Sequence, residues 1–156
     1  MGKDKFSPNE RSAIMAAVRS SNTTPERIVR SALHRLGYRY RLHDRHLPGK
    51  PDLSFPSRRV ALFVHGCFWH RHPGCRRAST PVARQNYWLA KFERNVTRDS
   101  KTQQTLEQQG WRVIVVWECQ LRTDWISRVQ EALDTGAVTR GAKTRNGARS
   151  LDAVET

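Results

Sequence analysis

The stretch from Val60 to Cys75, Val-Ala-Leu-Phe-Val-His-Gly-Cys-Phe-Trp-His-Arg-His-Pro-Gly-Cys, is the part of the sequence that decides the fold. It begins with an apolar run, Val60 to Val64, whose length and β-branched content are those of a buried strand. The residues that follow are rich in histidine and cysteine, which bind metals and transfer protons. This order predicts a rigid strand that ends in a loop carrying the chemistry of a functional site.

A proline and glycine turn, Leu47-Pro48-Gly49-Lys50-Pro51-Asp52, delivers one carboxylate into a second short strand, Leu53–Phe55. If these two strands pair in antiparallel fashion, Asp52 comes to lie near Val64 and His65. A carboxylate and the backbone carbonyl of Val64 are hard oxygen ligands that suit Mg²⁺. A nearby histidine can take a proton from water at neutral pH. The pattern predicts a phosphodiester hydrolase; the alternative is that Asp52 is only a turn or cap residue.

The chain is strongly basic. Its 156 residues carry a formal net charge of +14, from 28 lysine and arginine residues against 14 aspartate and glutamate residues. This length predicts one domain, and this charge predicts a polyanionic partner, most simply nucleic acid. The alternative is a merely basic protein. The sequence has no apolar run of about 18 residues and no apolar signal region, so we expect a cytoplasmic protein with no membrane partner.

The three cysteines predict a metal site. In the cytoplasm cysteines stay reduced, and an odd number makes a disulfide framework a poor interpretation. Cys67, His72 and Cys75 share one loop, and Cys119 follows the strongest strand signal, Trp111 to Trp117. Three thiolates and one imidazole would form a closed structural zinc site. The alternative is that Cys67 and Cys119 are small buried hydrophobic residues. The spacing matches neither zinc deaminases nor C2H2 fingers.

The remaining patterns predict an α/β sandwich rather than a βαβ repeat. A capping box, Ser7-Pro8-Asn9-Glu10, starts a first helix, and Thr23/Thr24-Pro25-Glu26 starts a second that ends at Gly37. The further predicted elements are a strand over 38–42, a helical hairpin from Arg84–Asn95 and Asp99–Gln109, the strand 111–117, and a helix from Thr123 to Leu133. We expect residues 1–135 to form the domain, with a helical arm over about 1–22, and 136–156 to be a basic, disordered tail.

Three segments together resemble the very short patch repair (Vsr) DNA mismatch endonucleases. They are Leu47–Asp52, Phe63–His72 with its Gly-Cys-Phe-Trp-His motif, and Trp111–Cys119; Arg11-Ser12-x-x-Met15 through Glu26 is also similar. The resemblance covers about residues 7–135. It implies a restriction-endonuclease-like α/β/α core with a central mixed sheet and a structural zinc site. It also implies a bacterial, nucleoid-associated enzyme that nicks one DNA strand 5′ of the thymine in T:G mismatches, which arise when 5-methylcytosine is deaminated.

The resemblance implies a role for each matching residue. Asp52 would ligate Mg²⁺ with the backbone carbonyl of Val64, His70 would be the general base, His65 would lie near the scissile phosphate, and Glu26 would support the site. For Glu26 a stabilising interaction with the helix dipole is a sufficient alternative. The zinc ligands would be Cys67, His72, Cys75 and Cys119.

The resemblance also implies an aromatic wedge that enters the base stack beside the mismatch. Its members would be Phe68, Trp69 and Trp88, with Met15 and Val18 pressing from the minor-groove side. The free-energy cost of unstacking a base step is smallest at a mispair, which gives a wedge selectivity for damaged DNA. The alternative is that Phe68 and Trp88 belong to the core; the apolar helical spacing around Trp88 favours that alternative, whereas Phe68 and Trp69 in their polar loop are better wedge candidates.

The expected partner is double-stranded DNA with a T:G mismatch, bound by a monomer. Two other functions fit the same residues: a restriction endonuclease that cuts both strands of a matched site, and a zinc-stabilised DNA-binding module without catalysis. The flanking bases, the number of Mg²⁺ ions and any docking of mismatch-repair proteins are not encoded in a pattern that a single sequence displays.

Overall fold

The computed structural model describes residues 7, 9–10, 13–14 and 21–135. Near the start of the chain, the Ser7 hydroxyl accepts from the Glu10 N–H and the Glu10 carboxylate accepts from the Ser7 N–H, so the predicted capping box is formed. Met15, Val18 and the tail over 136–156 lie outside the described residues. No helix in the described part is long and apolar enough to cross a membrane.

A four-stranded mixed sheet forms the centre of the fold. The elements in chain order are helix α1 (Thr24–Arg35), strands β1 (Arg41–Leu42), β2 (Leu53–Phe55) and β3 (Val60–His65), helix α2 (Gln85–Gln108), strand β4 (Arg112–Trp117) and helix α3 (125–135). The strand order is β1-β2-β3-β4; β1–β2 and β2–β3 are antiparallel and β3–β4 is parallel. The predicted mixed sheet is confirmed.

Helices cover both faces of the sheet. Alternate strand residues, such as Leu62 and Val116, pack with Val29 of α1 and Val129 of α3 into the main core. The intervening residues point to the other face, where α2 contacts β4. Residue alternation along a strand explains this division, because successive side chains point to opposite faces. The predicted three-layer arrangement of helices around the sheet is confirmed.

Helix α2 corrects one prediction. The sequence predicted a hairpin of two helices, Arg84–Asn95 and Asp99–Gln109, but residues Gln85–Gln108 form a single helix. Asp99 resembles an N-cap in sequence, but it lies within this helix and its carboxylate contacts His70. No glycine or proline interrupts residues 96–98, and the helix therefore continues. The helix crosses from β3 to its parallel neighbour β4, so the fold contains one βαβ unit without a repeat.

The first strand is shorter than predicted, because its partner is short. Only Arg41 and Leu42 pair with β2, opposite Ser54 and Leu53, although the alternating pattern began at residue 38. The second predicted helix ends as expected. Gly37 has a φ of 92°, and the N–H of the following residue bonds to the Leu33 carbonyl, which closes the helix end.

Candidate active site and metal centres

Asp52 and Val64 meet across the β2–β3 pair, as the sequence predicted. The backbone N–H of Val64 donates to Asp52 Oδ2 at 2.7 Å. Burial, with a smaller contribution from the charge of Glu26, raises the pKa of the Asp52 carboxyl to about 6, against the lowering effect of the Val64 N–H. A carboxylate that is costly to ionise in this position would be stabilised by a cation beside it.

The turn that carries Asp52 packs closely against α2. Gly49 has a φ of 73°, and a Cβ atom at this position would clash with the Thr102 side chain. A glycine is therefore needed both for the backbone conformation and for the close approach. This packing fixes the distance between Asp52 and the helix that carries Asp99.

His70 forms a pair with a residue that the sequence did not reveal. Its Nδ1 lies 2.6 Å from Asp99 Oδ2 on α2. A carboxylate only accepts hydrogen bonds, so Nδ1 carries the hydrogen and Nε2 has a free lone pair. The His65 ring stacks on the His70 ring, with centroids 3.9 Å apart and an angle of 5° between planes. Burial lowers the pKa of His65 to about 4, with repulsion from His70 adding to the effect.

A sequence signal for Asp99 exists, but only if α2 is taken as one helix. Asn95 and Asp99 are four residues apart and therefore lie on one face. The Asn95 amide donates to the Trp69 carbonyl at 3.1 Å, while Asp99 contacts His70. Two adjacent turns of α2 thus bind Trp69 and His70, which are consecutive residues of the loop after β3.

Glu26 of α1 lies close to Asp52 and is buried. Its carboxylate accepts a hydrogen bond from the Asn22 N–H at 2.9 Å, and its own N–H donates to the Thr23 hydroxyl at 3.4 Å. Glu26 lies in the first turn of α1, where its carboxylate suits the helix dipole, as the sequence indicated. Glu26 also faces His43, a residue that the sequence analysis did not single out: their Oε2 and Nε2 atoms are 3.7 Å apart.

These groups open onto one cavity of about 1110 Å³. Two sets of potential ligand atoms lie in it, each within 4.8 Å of one another: Glu26, His43 and Asp52, and His65, His70 and Asp99. Basic side chains also line the cavity; they are Arg45, Lys50 and Arg98. Carboxylates and imidazoles beside positive charge are the groups that bind a cation and a phosphate together.

The four predicted zinc ligands converge. Potential ligand atoms of Cys67, His72, Cys75 and Cys119 all lie within 4.8 Å of one another. His72 Nδ1 is 3.7 Å from Cys67 Sγ and 3.3 Å from Cys119 Sγ. A tetrahedral zinc site has S···N edges of about 3.5 Å, so this set fits the ion. The parallel register of β3 and β4 aligns His65 with Trp117 and so brings the two cysteine-bearing segments to the same edge of the sheet.

The residues around the Cys/His cluster hold its potential ligands in place and affect the pKa of its thiols. The His72 ring stacks on Trp117, with centroids 4.4 Å apart. Burial raises the pKa of the Cys67 thiol to about 12, whereas the Arg77 backbone N–H lowers that of Cys75. A buried neutral thiol becomes a thiolate when a cation binds beside it.

The predicted wedge residues form an aromatic cluster at the start of α2. Phe68 makes edge contacts with Trp69, Trp88 and Phe92 at centroid distances of 5.1 to 5.7 Å. Phe68 and Trp69 are half-buried, whereas Trp88 is only 6% exposed. Trp88 is therefore a buried residue of α2 whose ring packs against Phe68 and Trp69.

Arg71 holds the loop in shape. Its guanidinium donates to the carbonyls of Phe68, Ala78 and Ser79 and to the Thr80 hydroxyl, at 2.7 to 3.4 Å. The same group lies 4.0 Å from the centre of the Phe92 ring. Arg71 therefore joins both ends of the loop over residues 68–80 to the aromatic cluster, a role that its sequence position does not reveal.

We expect Arg71→Ala to lower the free energy of unfolding by about 2 kcal/mol, because several carbonyls lose their charged donor. Urea unfolding of the variant and of the unmodified protein measures this change. Arg76→Ala is the matched control, since Arg76 is exposed in the same loop. Equal stabilities of the two variants would show that the Arg71 hydrogen bonds contribute nothing net.

The sequence is similar to those of known DNA endonucleases. The family model for the DNA mismatch endonuclease Vsr matches residues 3–77. The type II nicking enzyme V.XorIIP of Xanthomonas oryzae pv. oryzae is 55% identical over 118 residues, which cover 76% of this chain and 86% of the relative. The type II nicking enzyme V.NmeAIP of Neisseria meningitidis is 40% identical over 125 residues, 80% of this chain and 89% of the relative. The DNA mismatch endonuclease Vsr of Escherichia coli is 41% identical over 112 residues, 72% of this chain and 71% of the relative.

Fold, site and relatives together define a DNA endonuclease, a hydrolase of phosphodiester bonds. DNA is its substrate, and the Cys/His cluster is a possible metal site. The chain belongs to the Vsr DNA mismatch endonuclease family.

Proposed function

We propose that this protein is a Mg²⁺-dependent, zinc-stabilised endonuclease that nicks one strand 5′ of the thymine in T:G mismatches left by deamination of 5-methylcytosine. It would act as a monomer in the bacterial cytoplasm, on DNA of the nucleoid, through a domain spanning residues 1–135. One observation carries the proposal: the Asp52 carboxylate and the His70–Asp99 pair open onto the same basic cavity.

His70 is the proposed general base. Because Asp99 accepts the hydrogen on Nδ1, Nε2 is free to take a proton from an attacking water. The Asp99 carboxylate also stabilises the imidazolium that results. His65 stacks on this ring, and its lowered pKa keeps it neutral near pH 7, so it does not repel the protonated His70.

Asp52 and the backbone carbonyl of Val64 are the proposed Mg²⁺ ligands, with Glu26 supporting the site. The bound cation would neutralise developing negative charge on the phosphate. Asp52 is suited to this task because it is largely buried, oriented by the Val64 N–H and adjacent to a second carboxylate. Arg45, Lys50 and Arg98 would hold the DNA backbone around the reacting phosphate.

Zinc held by Cys67, His72, Cys75 and Cys119 is the proposed structural metal. Four protein donors would complete the coordination of a zinc ion and leave no position for a catalytic water. The ion would tie the loop that contains His70 to the end of β4. It thereby fixes the base relative to the sheet edge that carries Val64.

Phe68 and Trp69 are the proposed wedge, with Trp88 beneath them, and Met15 and Val18 acting from the minor-groove side. Unstacking a base step costs a few kcal/mol, and least at a mispair. Lys91 Nζ lies 5.0 Å from the centre of the Trp69 ring, which puts a positive charge next to the loop that would meet DNA. The aromatic rings could thus stack on bases, and the Lys91 ammonium could contact the DNA phosphates.

Cleavage of both strands at a matched site is the second candidate. The same residues would serve it, but similar relatives bear the name type II nicking enzyme, which favours cleavage of one strand. The third interpretation, a DNA-binding module without catalysis, does not fit membership of an endonuclease family.

Cleavage of matched and mismatched substrates tests the proposal. Duplexes that differ only in one base pair (T:G, C:G, T:A, A:G) are incubated with the zinc-loaded protein and Mg²⁺, with each strand labelled separately. We expect cleavage of the thymine strand of T:G alone, immediately 5′ of the thymine, and none in EDTA. Cleavage of both strands of the matched duplex would instead establish the restriction activity, and equal nicking of every mismatch would contradict T:G recognition.

A further inference from the structure

His43 lies beside Asp52 and has an uncommon backbone conformation. Its backbone N–H donates to the Asp52 carbonyl at 3.2 Å, directly after the β1–β2 pairs. Its φ is 45°, in the left-handed region that residues other than glycine seldom adopt. Such conformations persist only where the surrounding structure holds them, and they are frequent at functional sites.

The Nε2 atom of His43 is buried and has no hydrogen-bond partner within the described part of the chain. It lies 3.7 Å from Glu26 Oε2, which is too long for a hydrogen bond. Buried polar atoms without a protein partner are rare, and an ion or an ordered water commonly satisfies those that occur. Here the atom faces two carboxylates, since donor atoms of Glu26, His43 and Asp52 all lie within 4.8 Å of one another.

We propose that His43 is a further direct ligand of the divalent cation that Asp52 and the Val64 carbonyl bind, and that Glu26 supports the site by adding its own carboxylate to the ligand set. This inference rests on the proposed function, because it concerns the same cation. Its consequence is a preference for Mn²⁺ or Co²⁺ over Mg²⁺. Carboxylate oxygens bind Mg²⁺ and Mn²⁺ alike, whereas an imidazole nitrogen adds affinity mainly for transition metals.

The arrangement leaves room for the rest of the coordination sphere. The three side-chain donors come from α1, the loop after β1 and the residue before β2, and together they would hold the ion. They line the cavity that also contains His70. An octahedral ion would therefore keep positions for waters and for a phosphate oxygen.

Binding of Mn²⁺ alone, without DNA, tests the ligand set. The zinc-loaded protein is titrated with Mn²⁺ while the electron paramagnetic resonance (EPR) signal of free Mn²⁺ is recorded, and Mg²⁺ affinity is obtained by competition. We expect His43→Gln to weaken Mn²⁺ binding roughly tenfold or more and Mg²⁺ binding much less. Asp52→Asn should abolish both. His46→Gln is the control, since His46 lies in the same loop but outside the three-donor set.

Pulsed EPR supplies a second readout, which reports the ligand atoms of the bound Mn²⁺ directly. Mn²⁺ bound to the unmodified protein should show hyperfine coupling to an imidazole ¹⁴N, which His46→Gln retains and His43→Gln removes. Absence of this coupling in the unmodified protein, or an unchanged ratio of Mn²⁺ to Mg²⁺ affinity in His43→Gln, overturns the proposal. Nitrogen-coupled Mn²⁺ in a protein that does not nick T:G duplexes would instead sustain this metal site and contradict the proposed function.

Discussion

Replacing His70 with alanine is expected to reduce the rate of T:G nicking by roughly 10²- to 10⁴-fold, the usual contribution of a general base. The affinity for the mismatched duplex should change little, because His70 contacts Asp99 and His65 within the protein. Single-turnover nicking and a binding titration in Ca²⁺, measured on the same preparation, separate the two quantities.

Two further variants should reduce the nicking rate to different extents. Asp99→Asn should slow nicking less than His70→Ala, because the base remains but loses the carboxylate that fixes its tautomer and stabilises its charge. Asp52→Asn should abolish Mg²⁺-dependent nicking. Glu93→Gln is the control for Asp99, since it removes a carboxylate from an exposed position of the same helix. Full activity of both Asp52→Asn and His70→Ala would show that the catalytic residues are wrongly assigned.

Removal of the metal from the cysteine cluster is expected to lower the melting temperature by about 10 °C or more, because a structural zinc site contributes its binding free energy to folding. Cys119→Ser should have a similar effect and should reduce the bound zinc from one equivalent to a small fraction. Scanning calorimetry and elemental analysis of the same samples measure both quantities.

A control separates loss of zinc from general damage by the chelator. Melting in excess Mg²⁺ with a chelator selective for zinc leaves the Asp52 site supplied while the thiols lose their ion. Re-addition of zinc should restore the original melting temperature in the unmodified protein but not in Cys119→Ser. A chelated protein that melts at the original temperature would show that the cluster does not hold a structural ion.

Features that depend on neighbouring residues in the sequence were predictable. The strand Val60–His65 and the turn before Asp52 have local signals, and short antiparallel pairing made the Asp52–Val64 contact predictable. The cysteine and histidine cluster was predictable because three of its members share one loop, and reduced cysteines in a polar loop have few other roles.

Features that depend on distant packing were not predictable. Asp99 resembled a helix cap because an aspartate after a threonine and arginine has the same local pattern as a helix start. Its pairing with His70 depends on how α2 lies across the sheet. His43 was hidden for a similar reason, since the loop brings it beside Glu26 of α1 only in the folded protein.

The position of the thiol cluster has a topological consequence. With zinc bound, Cys67 and Cys119 would be joined through one ion. The segment between them, which contains α2 and β4, would then form a closed loop. Closing a long segment removes disordered conformations from the unfolded chain, as a disulfide does, but with a reversible link. A peptide bond broken anywhere between Arg76 and Glu118 would therefore leave two fragments that the metal still holds together.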